Sequence, residues 1–303
     1  MTRSDGARPR DDREHLVRVA VAGQVAPARL GHDLPWTDVD GRPVVLPGNG
    51  GVAIGVHAGD PVDRWAGDHL MVGATIEDPE GNPAVAGPLH QLACLGDRVR
   101  LGDGTLLGVV AGKRGGLAPG FLPPQLVSVE APDERLATLL PGVRVVLEAV
   151  GRGLSLSDHP DIGVLNLSPA LLDRVPLALR DGALVARVRA TVPARAMGPG
   201  MGQDPWIGDI EIADPTALSP AVALAYGDLV AICDLDGRVS RYRRPGHVAI
   251  GAVAHGPSPA AGHGVGLTVI LSGPSAALSV ELDDDASLAS ALHDLARGEE
   301  GPA

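Results

Sequence analysis

Apolar residues in this chain recur in short runs, many with a spacing of two, and Gly, Asp or Pro breaks each run. The runs are Leu16 to Val25, Gly51 to Ala58, Arg98 to Leu101, Leu106 to Ala111, Leu126 to Glu130, Arg144 to Ala149, Leu184 to Val192, Leu229 to Cys233, Val248 to Ala254 and Gly266 to Leu271. Between Leu184 and Ala190, the residues Leu184, Ala186 and Val188 make an apolar face opposite Val185, Arg187 and Arg189. A period of two marks a half-buried strand, so the chain is predicted to be mainly β. Helix signals are fewer. Ser168-Pro169 offers an N-cap hydroxyl followed by proline at the first helical position. Helical turns are predicted over Asp133 to Leu140 and Pro215 to Ala225, and a C-terminal helix over Ala286 to Arg297. Asp283, Asp284 and Asp285 precede that helix, where their charge suits its dipole. Asp103-Gly104 between two apolar runs predicts a hairpin from a small barrel within 96–116. Residues 1–14 are polar and charged and read as a loose tail. A β-rich N-terminal domain over 15–181 follows, then a C-terminal domain over 182–303 with a soft boundary near Gly182.

Composition narrows the possibilities. Aromatic residues are 2% of the chain, so Val, Leu, Ala and Ile must fill the core. Gly 41 and Pro 27 imply many turns between short elements. A net charge of −12 and the lack of clustered basic residues exclude a phosphate-tracking surface, and nucleic acid with it. No apolar run is long enough to span a bilayer and no secretory signal follows Met1. Cys94 and Cys233 do not make a disulfide framework, which points to the cytoplasm. Both cysteines sit among apolar neighbours and read as buried hydrophobes. Lys113 is the only lysine, and its setting in Gly112-Lys113-Arg114-Gly115-Gly116 reads as a wet turn, against lysine-based covalent catalysis.

Candidate chemistry concentrates on three loops. The first, Gly59 to His69, holds Asp60, Trp65, Asp68 and His69. Asp68 and His69 would point oppositely on a strand but can converge on a loop. They are candidate proton carriers, with Asp60 and His69 as candidate metal ligands. The second, His255 to Gly266, brings His255 and His263 onto one Gly-rich connection as further metal ligands, His263 also as a catalytic group. The third, Ala196 to Asp209, places Trp206 and Asp209 where they could line a pocket or a lid. Each has a plainer alternative: an Asx turn, a turn histidine and a flexible connection, respectively.

Six segments together resemble a known family: Leu46-Pro47-Gly48-Asn49-Gly50-Gly51, Trp65-Ala66-Gly67-Asp68-His69, Val109 to Gly116, Pro160-Asp161-Ile162, Tyr226 to Ile232 and Gly262-His263-Gly264. Their order is similar to that of the bacterial and archaeal family known as domain of unknown function 4438, from about Val17 to Leu271. The resemblance implies a β-rich fold whose C-terminal part is a cyclophilin-like β-barrel, and it carries no activity. Two segments depart from the family pattern: Gly256-Pro257-Ser258 stands where a Ser-Asp pair follows His255, and Gln203-Asp204-Pro205-Trp206 fills a loop usually richer in Ser.

Two functions fit these residues. One is a small-molecule hydrolase or lyase in which Asp68, His69, His263 and Asp209 work as acid/base groups or around a divalent metal ion. The other is a non-catalytic small-molecule binding or assembly protein. The enzyme is preferred, acting as a homo-oligomer on a small molecule, away from nucleic acid and membranes.

Overall fold

The computed structural model describes residues 8–30, 36–37, 40–48, 50–79, 87–116, 125–259, 262 and 264–299. In the first half the alternating runs form β1 (Val19–Val25), β2 (Val52–Ala53), β3 (Gly73–Glu77), β4 (Arg98–Leu101), β5 (Leu106–Arg114), β6 (Leu126–Glu130) and β7 (Arg144–Ala149). Hydrogen bonding runs β1-β7-β4-β5-β6-β3, and β3 pairs back onto β1 to close a barrel, with β2 attached to β3. Neighbours are antiparallel except β6 and β3, which meet in parallel at Val129 and Gly73. Closure removes the sheet edges that an open sheet would expose. The hairpin at Asp103-Gly104 joins β4 to β5 as its sequence predicts, with Gly104 at φ +87 and Asp103 accepting the Thr105 N–H.

The second half contributes β8 (Gly163–Val164), β9 (Leu177–Arg180), β10 (Ala183–Val188), β11 (Ala190–Pro193), β12 (Ile210–Glu211), β13 (Leu229–Asp236), β14 (Tyr242–His255), β15 (Gly266–Pro274) and β16 (Leu278–Leu282). One sheet runs β8-β15-β14-β13-β11 with β12 added to β15, and a smaller one runs β9-β10-β16. The helices are α1 (Pro88–Leu92), α2 (Asp133–Leu136), α3 (Pro169–Leu172) and α4 (Ala289–Arg297). Ser168 caps α3 by accepting the Leu171 N–H.

Burial explains where the halves meet. Strand β1 alternates exposed and buried residues, whereas β5 is buried along nearly its whole length. One face of β5 lines the barrel, and β14, β15 and α4 pack against it. Strand β14 is exposed at its Tyr242 end and buried at its His255 end. The buried ends of β5 and β14 therefore lie together, and the site forms there.

Four expectations need correction. The run Gly51 to Ala58 is a strand only at Val52–Ala53, because Gly55 and Gly59 turn the chain at φ +78 and +90. Pro215 to Ala225 holds only a 3-10 turn at Pro215–Ala217, since Pro220 lacks an N–H and biases Ser219 away from helix. The C-terminal helix begins at Ala289, so the acidic trio lies upstream of it. Asp283 and Asp284 pair instead with Arg187 and Arg189 at 3.5 Å. Of the anticipated tail, residues 1–7 lie outside the described residues, while 8–15 are strapped down. Asp12 accepts from Ser155, and Arg13 joins Asp11 to Asp173. Among the described residues, no helix is long and apolar enough to cross a membrane.

Candidate functional site

Three strands set one side of the site. In register, His255 of β14 faces Gly266 of β15, and Gly266 faces Glu211 of β12. The central position of this row has no side chain, and the His255 ring lies across it. A Cβ on Gly266 would come within 1.9 Å of His255 Nε2. Crossing the gap brings Nε2 to 2.9 Å from Asp209 Oδ2 and 3.9 Å from Glu211 Oε1. Asp209 and Glu211 are two apart at the start of a strand, so they point the same way. The other oxygen of Asp209 accepts the Gly115 N–H at 3.0 Å, which ties the carboxylate to the end of β5.

The segment after Gly67 supplies the opposite side. It docks by backbone bonds: Gly256 N–H to the Leu70 carbonyl at 2.8 Å and His69 N–H to the Pro257 carbonyl at 3.1 Å. His69 adopts φ +53, a left-handed conformation costly to a non-glycine residue. That turn lets neighbouring Asp68 and His69 converge. Asp68 Oδ2 lies 2.9 Å from His69 Nδ1, and Ser258 donates its hydroxyl to Asp68 Oδ1 at 2.7 Å. His69 Nε2 lies 3.8 Å from Glu211 Oε2. The two imidazoles stand 5.2 Å apart, centroid to centroid, tilted by 58°.

Both histidines are oriented through Nδ1, His69 by the Asp68 carboxylate and His255 by the Gly256 carbonyl at 2.7 Å, so each turns Nε2 toward the carboxylates. Asp68, His69, Asp209, Glu211, His255 and Ser258 are all buried. So is Arg114, the last residue of β5. Burial holds its pKa below the ordinary guanidinium value, against the pull of Asp209, Glu211 and Asp68. Three carboxylates beside one fixed cation leave excess negative charge in a low-dielectric place, an arrangement that favours a cation. Among the described residues, Asp209, Glu211 and His255 each offer a ligand atom within 4.8 Å of the others.

Lys113, next to Arg114, points to the opposite side of β5. It is fully buried rather than in a wet turn, because β5 continues through it into the junction. Its ammonium donates to the Ala93 carbonyl, Asn166 Oδ1 and the Trp206 carbonyl at 3.2, 2.9 and 2.6 Å. Burial pulls its pKa down to about 7. Three acceptors match the three protons of a lysine, which is a structural clamp.

Of the sequence candidates, the fold brings Asp68, His69, Asp209 and His255 together, while His263 lies outside the described residues. Asp60 does not join them. It accepts the His57 N–H and pairs with Arg64 at 3.2 Å, closing its own turn. Trp65 is half-buried beneath the Arg64 guanidinium, and the Trp206 ring stacks 3.8 Å under that of Arg152. Cys94 is buried and its thiol is pushed up by that burial. Cys233 is partly buried. Glu211, Ser258 and Arg114 were not anticipated. The Asp-x-Glu spacing entering a strand was the available signal for Glu211. A second polar group, His57 with Glu130 and Asp133, lines a cavity beside His293 of α4. There both ring nitrogens of His57 already meet carboxylates, at 2.8 and 3.2 Å.

The family model described as domain of unknown function (DUF4438), N-terminal, matches residues 36–173, and its C-terminal counterpart matches 174–292. The chain belongs to the DUF4438 family. A solved structure described as the crystal structure of TM1086 shares 33% sequence identity with this DUF4438 chain. The match covers 94% of this chain and 100% of the other, with a TM-score of 0.82. No curated protein matches this DUF4438 member.

Proposed function

We propose that this protein is a metal-dependent enzyme of small-molecule metabolism, a hydrolase or lyase, with a divalent cation held by Asp209, Glu211 and His255. The observation that carries this is the orientation of the two imidazoles. Each is fixed through Nδ1 by an oxygen acceptor and presents Nε2 to Glu211, His255 to Asp209 as well, the arrangement that metal-ligating histidines show. Three protein ligands leave coordination positions for water and substrate, as catalytic sites do. Mixed imidazole and carboxylate donors suit Zn²⁺, Mn²⁺ or Fe²⁺. A bound cation supplies a Lewis acid and an acidified water. The Asp68–His69 pair stands beside it as the proton carrier, with Ser258 holding Asp68 in place. The antiparallel β13-β14-β15 region that supports the centre is what we read as the cyclophilin-like part. Fold likeness alone assigns it no isomerase role.

Titration of metal-free protein with Mn²⁺ or Zn²⁺ tests the centre. One equivalent binds to the wild type, His255→Ala and Glu211→Gln weaken it by about 100-fold or more, and His69→Ala still binds metal but loses turnover. Equal affinity in wild type and His255→Ala would sink the assignment.

A further inference from the structure

The buried guanidinium of Arg114 is the one feature of the site that a cation leaves unexplained. Arg114 is 6% exposed, and neither its Nε nor its Nη1 has a hydrogen-bond partner. A guanidinium is a planar fork of donors, and burying that fork unsatisfied is costly. Another buried arginine in this molecule shows what a structural role looks like: Arg241 leaves Nη1 unpartnered but donates Nε to the Gly200 carbonyl and Nη2 to the Ile207 carbonyl, stapling a loop. Arg114 staples nothing in this way. It occurs instead at the end of β5, one residue from the Gly115 N–H that holds Asp209, and it feels the charges of Asp209, Glu211 and Asp68.

We infer that Arg114 binds an oxyanion of the substrate, a carboxylate or a phosphate, so that the molecule turned over is a small anion spanning Arg114 and the metal centre. This rests on the metal-dependent function proposed above and adds the substrate class to it. A bidentate oxyanion matches the geometry of the fork and satisfies the donors that the protein leaves open. With a divalent cation bound, its charge and that of Arg114 balance the three carboxylates, so an anion entering between them meets no net repulsion.

The test titrates malonate and, separately, inorganic phosphate into Mn²⁺-loaded wild type, Arg114→Met and Arg114→Lys, with bound metal measured in every sample. The wild type binds at least one anion, and the stronger of the two identifies carboxylate or phosphate as the group recognised. Arg114→Met weakens that binding by about 10- to 100-fold, as loss of a charged hydrogen bond does. Arg114→Lys recovers only part of the affinity, because an ammonium lacks the fork, and it serves as the decisive variant if the Met form does not fold. Wild-type affinity in the folded variants, or no binding of either anion to wild type, overturns the inference while leaving the metal centre intact. Arg114-dependent anion binding in protein that takes up no metal upholds the anion site and overturns the metal assignment instead.

Discussion

At the scale of single residues, the site depends on what is missing as much as on what is present. Gly266 leaves the gap through which His255 reaches Asp209, and an added Cβ would meet the ring at 1.9 Å. Gly266→Ala is therefore expected to displace the imidazole and weaken metal binding by about 10- to 100-fold, the usual cost of disturbing a ligand's support. Calorimetric titration with Zn²⁺ checks it, and unchanged affinity would show that His255 does not need this space. On the other side of β5, Lys113→Met keeps the length of the side chain but leaves three carbonyl-type acceptors without their donor. Urea unfolding should show a loss of about 2–5 kcal/mol, and no loss would mean that water replaces the ammonium. Histidines and aspartates on Gly-rich loops were legible from sequence, because loops carry chemistry and their residues stand out there. Arg114 was not legible, since nothing local distinguishes a strand-end arginine from an exposed one. Burial on both faces of β5 is a property of the assembled fold.

Among elements, strands with clear alternation were readable and those defined by distant partners were not. Strand β7 alternates buried residues with exposed or half-buried ones and appears where its pattern predicts it. Strand β3 is wholly apolar or small up to Glu77, buried on both sides, and gives no period to read. The hairpin of β13 and β14 offers a test of electrostatics at this scale. Asp236 accepts from Arg238 Nε and Nη2 at 3.0 and 2.9 Å and from Arg244 at 2.9 Å. The Arg238 side chain holds its pKa well below the ordinary carboxylate value, against a smaller upward push from burial. A carboxyl with a lowered folded pKa binds fewer protons folded than unfolded, so its stabilisation is present above its unfolded value of 3.8 and is lost as pH falls below it. Asp236→Asn should therefore be less stable than wild type at pH 7 and converge with it toward pH 2. Thermal melts across that range check this, and an offset that stays constant with pH would contradict the pairing.

For the molecule as a whole, the site belongs to neither half alone. Asp68, Arg114 and the Gly115 N–H come from the part that builds the barrel, whereas Asp209, Glu211, His255 and Ser258 come from the part that builds the second sheet. A continuous apolar core runs through both, from Val21 to Ala296. Sequence places a soft boundary near Gly182, but it does not reveal that β5 packs against strands and a helix of the second part. A cation at Asp209, Glu211 and His255 would bind only when these segments are assembled, so it must stabilise the whole molecule. At a free concentration 100 times its Kd, linkage gives about 2.7 kcal/mol. Calorimetry should therefore record one cooperative transition that moves upward with Mn²⁺ and returns with a chelator. Glu211→Gln should melt once as well but without the metal-dependent increment. Two resolved transitions, of which only one responds to the ion, would mean that the halves unfold independently and that the centre lies within one of them.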